Sequence, residues 1–119
     1  MAMDDEEIPR DAWKRTLEAL TGEHEGDVAS IEVAELDLGD QFEAEQIPFS
    51  YIEYDPHDDA VSVGVGGLDG RYPVMLRHVV AHPQSIFIHN AVDSVTIEVR
   101  SPDGSVTLVT LRARSELPA

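Results

Sequence analysis

The stretch Val95-Thr96-Ile97-Glu98-Val99-Arg100, the turn Ser101-Pro102-Asp103-Gly104 and the return Val106-Thr107-Leu108-Val109-Thr110-Leu111 decide how this chain is read. Val95, Ile97 and Val99 alternate with Thr96, Glu98 and Arg100, the two-residue period of a strand with one face buried and one in water. Ser-Pro-Asp-Gly is tight-turn chemistry, so the returning run becomes an antiparallel partner.

Working back toward the N-terminus, the same period recurs. Ser85–His89 and Val74–Val80 read as two strands separated by His82-Pro83-Gln84, and Val61, Val63 and Val65 alternate as a third. That third run lies between the turn Asp55-Pro56-His57-Asp58-Asp59 and the glycine-rich Gly66-Gly67-Leu68-Asp69-Gly70. From Phe42 to Tyr54 the pattern runs Phe42, Ala44, then resumes as Ile47, Phe49, Tyr51. The one-residue slip beside Pro48 predicts a bulge or an edge position. Val28–Leu38, with Ile31 and Val33 alternating, is bounded by Gly26 and Gly39.

Only Pro9–Thr21 departs from this period. Trp13, Leu17 and Leu20 fall at three- and four-residue spacing, which puts them on one face of a helix. Pro9 suits the first helical position, Asp11 sits near the positive end of the dipole, and Gly22 is the expected stop. So short a helix needs a surface to dock on, and Trp13 reads as its anchor. The expected fold class is α+β, mainly β: one N-terminal helix packed on a curled antiparallel meander of about six or seven strands. Residues 1–7 read as a disordered acidic tail and 8–119 as a single domain.

Composition narrows the function classes. Twenty-four Asp and Glu stand against eight Lys and Arg, of which only Lys14 is lysine, for a formal charge of −16 in 119 residues. Such a field repels phosphate backbones and anionic bilayers, so neither nucleic acid nor membrane is expected as a partner. Low lysine with abundant Asp and Glu suits a salt-rich cytoplasm, where screening removes self-repulsion, and it also suits an acidic protein of ordinary habitat. There is no cysteine, which excludes disulfides, thiolate metal sites and cysteine nucleophiles. The acidic start, with no basic segment followed by an apolar one, is unlike a signal peptide, and a cytoplasmic location is expected.

Several constellations invite chemistry, and each has a plainer reading. His78 and His82 have the spacing of a helical zinc pair, but Val79 and Val80 favour strand and Pro83 disfavours helix at His82. On a strand face the two imidazoles stand roughly 13 Å apart, too far to share a metal. Asp55, His57, Asp58 and Asp59 resemble a cation loop in composition, yet Ala60 stands where such a loop needs glycine, and a solvated hairpin turn is expected. Gly64, Gly66, Gly67 and Gly70 lack the lysine and following helix of a phosphate loop. Glu43 and Glu45 are expected to share a strand face with nothing to desolvate either. His24, between Glu23 and Glu25, reads as an exposed loop histidine. No catalytic residue, cofactor site or metal site is expected.

Ile8-Pro9-Arg10 with Trp13, then His24-Glu25-Gly26, resemble the opening of an uncharacterised prokaryotic family, domain of unknown function 5335. Gly39-Asp40-Gln41 with Ala44, the Ile47-Pro48 step, His78 with Val80 and Pro83, and the Asp103-Gly104 hairpin are similar as well. Asp27 departs from the family pattern, standing where it has a bulky apolar residue. The resemblance, from about Ile8 to Pro118, implies a small stand-alone domain with no assigned activity. Pro9, Arg10, Trp13, His24 and Gly26 then bracket the helix and its exit as a docking device.

Three function classes follow. The leading expectation is a non-enzymatic accessory or protein-interaction module, with a homo-oligomer through a strand edge as one form. The second is an acidic mimic of a basic partner's ligand, which needs carboxylates gathered on one face. The third is a small-ligand or metal-dependent enzyme in which two of His78, His82 and His89 converge with a carboxylate.

Overall fold

The computed structural model describes residues 4–35, 39–67 and 74–113. Its elements are β1 (Asp4–Ile8), a 3-10 turn (Arg10–Ala12), α1 (Trp13–His24), β2 (Val28–Glu35), β3 (Gly39–Asp55), β4 (Ala60–Gly66), β5 (Val74–Ala81), β6 (Ser85–Asn90), β7 (Val95–Arg100) and β8 (Val106–Arg112). The mainly β fold with one N-terminal helix is as expected. Among the described residues there are eight strands, not six or seven, in the order β1-β6-β7-β8-β2-β3-β4-β5. Two meanders, β2 to β5 and β6 to β8, are joined side by side where β2 pairs with β8. Every pair is antiparallel.

The extra strand is β1. Asp4–Glu7, expected as part of an acidic tail, pair with β6 from Asp4 opposite Asn90 to Ile8 opposite Ile86. The expectation weighed side chains with nothing to bury, but strand pairing uses the backbone, and Ile8 at the strand's end is buried. Acids along an edge strand also block further pairing.

β5 and β6 are joined by only His82, Pro83 and Gln84, yet six strand spacings separate them in the sheet. In a flat sheet those spacings amount to about 29 Å, while four Cα steps reach at most about 15 Å. The sheet therefore curls, without closing. Its concave side holds one cluster that includes Ile31, Phe49, Ile52, Val61, Val63, Ile86, Ile97 and Leu111, together with Trp13, Leu17 and Leu20 of the helix.

β3 makes the curl possible. Its register against β2 shifts twice, around Glu43 and around Glu45–Gln46, and against β4 once, at Ser50. Gln46 has φ +52°, and its N–H donates to Ser30 Oγ at 3.1 Å. The bulge predicted from the slip beside Pro48 is thus present. Extra residues on one strand bend and twist it, which carries β4 and β5 around toward the other meander.

The helix runs three residues past its expected end at Thr21, to His24. Gly22 lies inside α1, and the chain reverses at Gly26, φ +93°. One glycine in a last turn costs only about 1 kcal/mol, and Asp27 N–H donating to the His24 carbonyl secures the exit. α1 lies along the half of β3 that has outrun β2. There the Thr21 hydroxyl donates to the Ile52 carbonyl at 2.7 Å and accepts the Ile52 N–H at 2.9 Å, replacing a missing strand. Across β3, Tyr51 lies over its cross-strand partner Gly64, whose place any side chain would contest.

Candidate functional site

Arg10 enters the molecule at the corner formed by the β3–β4 hairpin and the β5–β6 link. Its guanidinium stacks 4.3 Å over Trp13, donates to the Pro83 carbonyl at 3.1 Å and faces Asp59 at 3.4 Å. Asp59 also accepts from the Tyr54 hydroxyl at 2.7 Å and lies 3.2 Å from His82 Nδ1. The Tyr54 hydrogen bond, then that of His82, holds the Asp59 carboxyl below its ordinary range. Burial, then the Asp59 contact, pushes the Tyr54 phenol up. Trp13 meets Tyr54 edge-on at 5.1 Å and donates its indole N–H to the Ile8 carbonyl. The corner ties helix start, β3–β4 hairpin and β5–β6 link together through contacts among its own groups.

Below this corner the sheet opens. A groove of about 510 Å³ runs between β5 on one side and the β2–β3 hairpin and β7–β8 turn on the other. Val33, Val80 and Thr107 are among its apolar and small lining residues, while Glu35, Glu43 and Asp103 are its carboxylates. All five consecutive residues from His78 to His82 line it. Neighbouring strand residues point to opposite faces, so a groove touching all of them follows the strand's backbone edge. That edge has no hydrogen-bonded strand among the described residues. Alternate N–H and C=O groups of β5 point away from β4 and into this space.

His78 pairs across the sheet with Val63, which is fully buried, so its imidazole is on the concave side. Burial pulls its pKa below 6.5, against the opposing charge of Glu43, and keeps the ring neutral at pH 7. His82 is not on the same strand face as expected. It lies one residue beyond β5 with φ +52°, its ring turned to Asp59. The two histidines share a groove but not a partner.

The other sequence candidates separate further. Asp55 folds its carboxylate back onto the N–H groups of His57 and Asp58, at 2.9 and 3.4 Å, while Asp59 faces the corner. These acids therefore diverge rather than enclose a common point. Among the described residues, no group of three or more His, Asp or Glu is arranged to hold a metal ion. Glu43 and Glu45, expected on one face, are split by the β3 bulges: Glu43 lines the β5 groove, and Glu45 lines another beside Gln46 and Thr110. His24 closes α1 and lies half-buried, 2.9 Å from Asp27, rather than exposed in a loop. Gly66 and Gly67, at φ +87° and +82°, shape the exit of β4, and Gly70 lies outside the described residues.

Sequence reasoning named His89 only alongside His78 and His82 and did not foresee its partners. Its Nδ1 is 2.9 Å from Asp5 of β1 and its Nε2 is 2.7 Å from Glu98 of β7. The ring stacks on Phe87, and Arg100 both covers Phe87 and donates to Glu98 at 2.5 Å. Burial alone lowers the His89 pKa, but the hydrogen bonds and charges of Asp5 and Glu98 outweigh it and raise the value overall. A partner 84 positions away leaves no local trace in sequence.

Comparison with known proteins places this arrangement in context. The family model described as "Family of unknown function (DUF5335)" matches residues 4–119. An "Uncharacterized protein" of Aquifex aeolicus (strain VF5) is 25% identical over 112 residues, which cover 93% of this chain and 95% of that protein. No solved structure matches.

Proposed function

The chain belongs to the family of unknown function DUF5335, and we propose that it is a non-enzymatic protein-interaction module that accepts an extended segment of a partner protein along β5. The observation that carries this reading is the contrast between the two sheet edges. β1 presents Asp4-Asp5-Glu6-Glu7, the kind of charged edge that refuses a further strand, whereas Val74–Ala81 has no acid at all. A strand added to β5 would satisfy its outward backbone groups and lie against Val33, Val80 and Thr107.

The position of the histidines supports the non-enzymatic reading. His78, His82 and His89 sit in three separate settings, and no two converge with a carboxylate on a shared reacting point. Exposed acids lie on β1, on Asp11 and Glu18 at the helix side, on Glu35 of β2 and Glu53 of β3, and on Asp93 and Asp103 in turns, although β4, β5, β6 and β8 carry none. That spread favours a salt-adapted surface over an acidic mimic, which concentrates charge on one face. A cytoplasmic setting accompanies this reading, supported by the absence of cysteine. No helix is long and apolar enough among the described residues to cross a membrane.

Selection of random peptides against the chain, followed by hydrogen exchange with a selected peptide bound, tests the proposal. Slowed exchange is expected in Val74–Ala81. Peptides that leave β5 unprotected, or a selection that yields none, would defeat it.

A further inference from the structure

The groove also constrains the chemistry of what enters it. On the strand-addition reading, we infer that the partner segment is cationic: an extended stretch alternating aliphatic residues with Lys or Arg. A strand beside β5 has one face continuous with Leu76, His78 and Val80, which turn toward the concave side. Side chains on that face meet Val33, Val80 and Thr107, where only aliphatic groups of modest size avoid an unpaired polar atom.

The opposite wall differs in character. Glu35, Glu43 and Asp103 stand there, all exposed, while the only ring that β5 brings to the groove is His78, with His82 following just beyond the strand and Arg77 outside the lining. Asp103 is kept ionised by the backbone N–H of Ser105, then by its hydroxyl. An anionic segment would place like charges across the groove, and a neutral one would gain nothing from the groove's three carboxylates. A Lys or Arg reaching across from the added strand meets them while its aliphatic stem covers Val79, which is exposed. The −16 net charge steers such a segment inward but does not position it; the strand edge and the wall do.

The test uses the full chain and three labelled octapeptides, in which valine alternates with lysine, glutamate or threonine. Fluorescence anisotropy is read at low and high salt. The Val/Lys peptide is expected to bind most tightly, and a version N-methylated at alternate residues to bind at least about tenfold more weakly. The double variant Glu35→Gln/Glu43→Gln should weaken the Val/Lys peptide about fivefold, and Glu23→Gln/Glu25→Gln should leave it unchanged. Equal binding of all three peptides, still abolished by N-methylation, would overturn the cationic preference and keep strand addition. Binding indifferent to N-methylation, or weakened equally by both double variants, would mean a diffuse response to net charge and overturn the inference. If no peptide binds, strand addition itself fails.

Discussion

His89 shows how much one imidazole can hold. It joins Asp5 on the edge strand to Glu98 on β7, and those three groups with Arg100 are the charges facing one another on this outer patch. Because its folded pKa is raised above 6.5, its contribution is complete below that value and fades as pH climbs through the raised one. Glu98 is held below its ordinary 4.5, against the larger opposing effect of burial, by Arg100 first and then His89. Its contribution is present above 4.5 and fades as pH falls through the lowered value. The two are present together between 4.5 and 6.5. His89→Gln is therefore expected to cost about 1 kcal/mol at pH 6 and clearly less at pH 9, read from urea unfolding midpoints. A cost independent of pH would show that packing on Phe87, not charge, is what His89 supplies.

At the level of elements, α1 does two jobs. Its apolar stripe enters the core, and Thr21 stands in for a strand along the uncovered half of β3. The stripe was readable from spacing alone, since Trp13, Leu17 and Leu20 need only a helical period to share a face. The hydroxyl's role was not, because it depends on β3 outrunning β2 by the length Ser50–Asp55. Thr21→Val keeps the shape but leaves the Ile52 N–H and C=O without that partner, and is expected to cost about 1–2 kcal/mol. Thr21→Ser should recover most of the loss. The buried Trp13 fluorescence gives the unfolding signal, and hydrogen exchange at Ile52 identifies the cause: no acceleration there in Thr21→Val would refute the assignment.

At the scale of the whole molecule, the charge must be reconciled with compactness. Sixteen net negative charges are held within a radius of gyration of 13.7 Å. In 0.1 M salt the screening length is about 10 Å, and in 1 M salt it shrinks to about 3 Å. Repulsion among the carboxylates is therefore relieved by salt while the core contribution persists. The melting temperature is expected to rise steadily from dilute buffer to molar KCl, measured by calorimetry. A flat profile would remove salt adaptation as an account of this composition.

By itself the sequence determined that the chain after the helix is pleated, which residues of the cleanly alternating runs are buried, and that Trp13 faces the core from the helix. Alternation and three-to-four spacing are local geometry, written into neighbouring residues. It also located the β3 slip, because a bulge changes parity within one run. Only the tertiary structure decided which strand lies beside which: that β2 joins β8, that Asp4–Ile8 pairs with β6, and that β5 is left with an open edge. Backbone pairing is indifferent to side-chain identity, so a period says which way a residue points but not what it meets. The groove beside β5 and the His89 clamp both depend on such long-range neighbours, and they became visible only once the sheet was assembled.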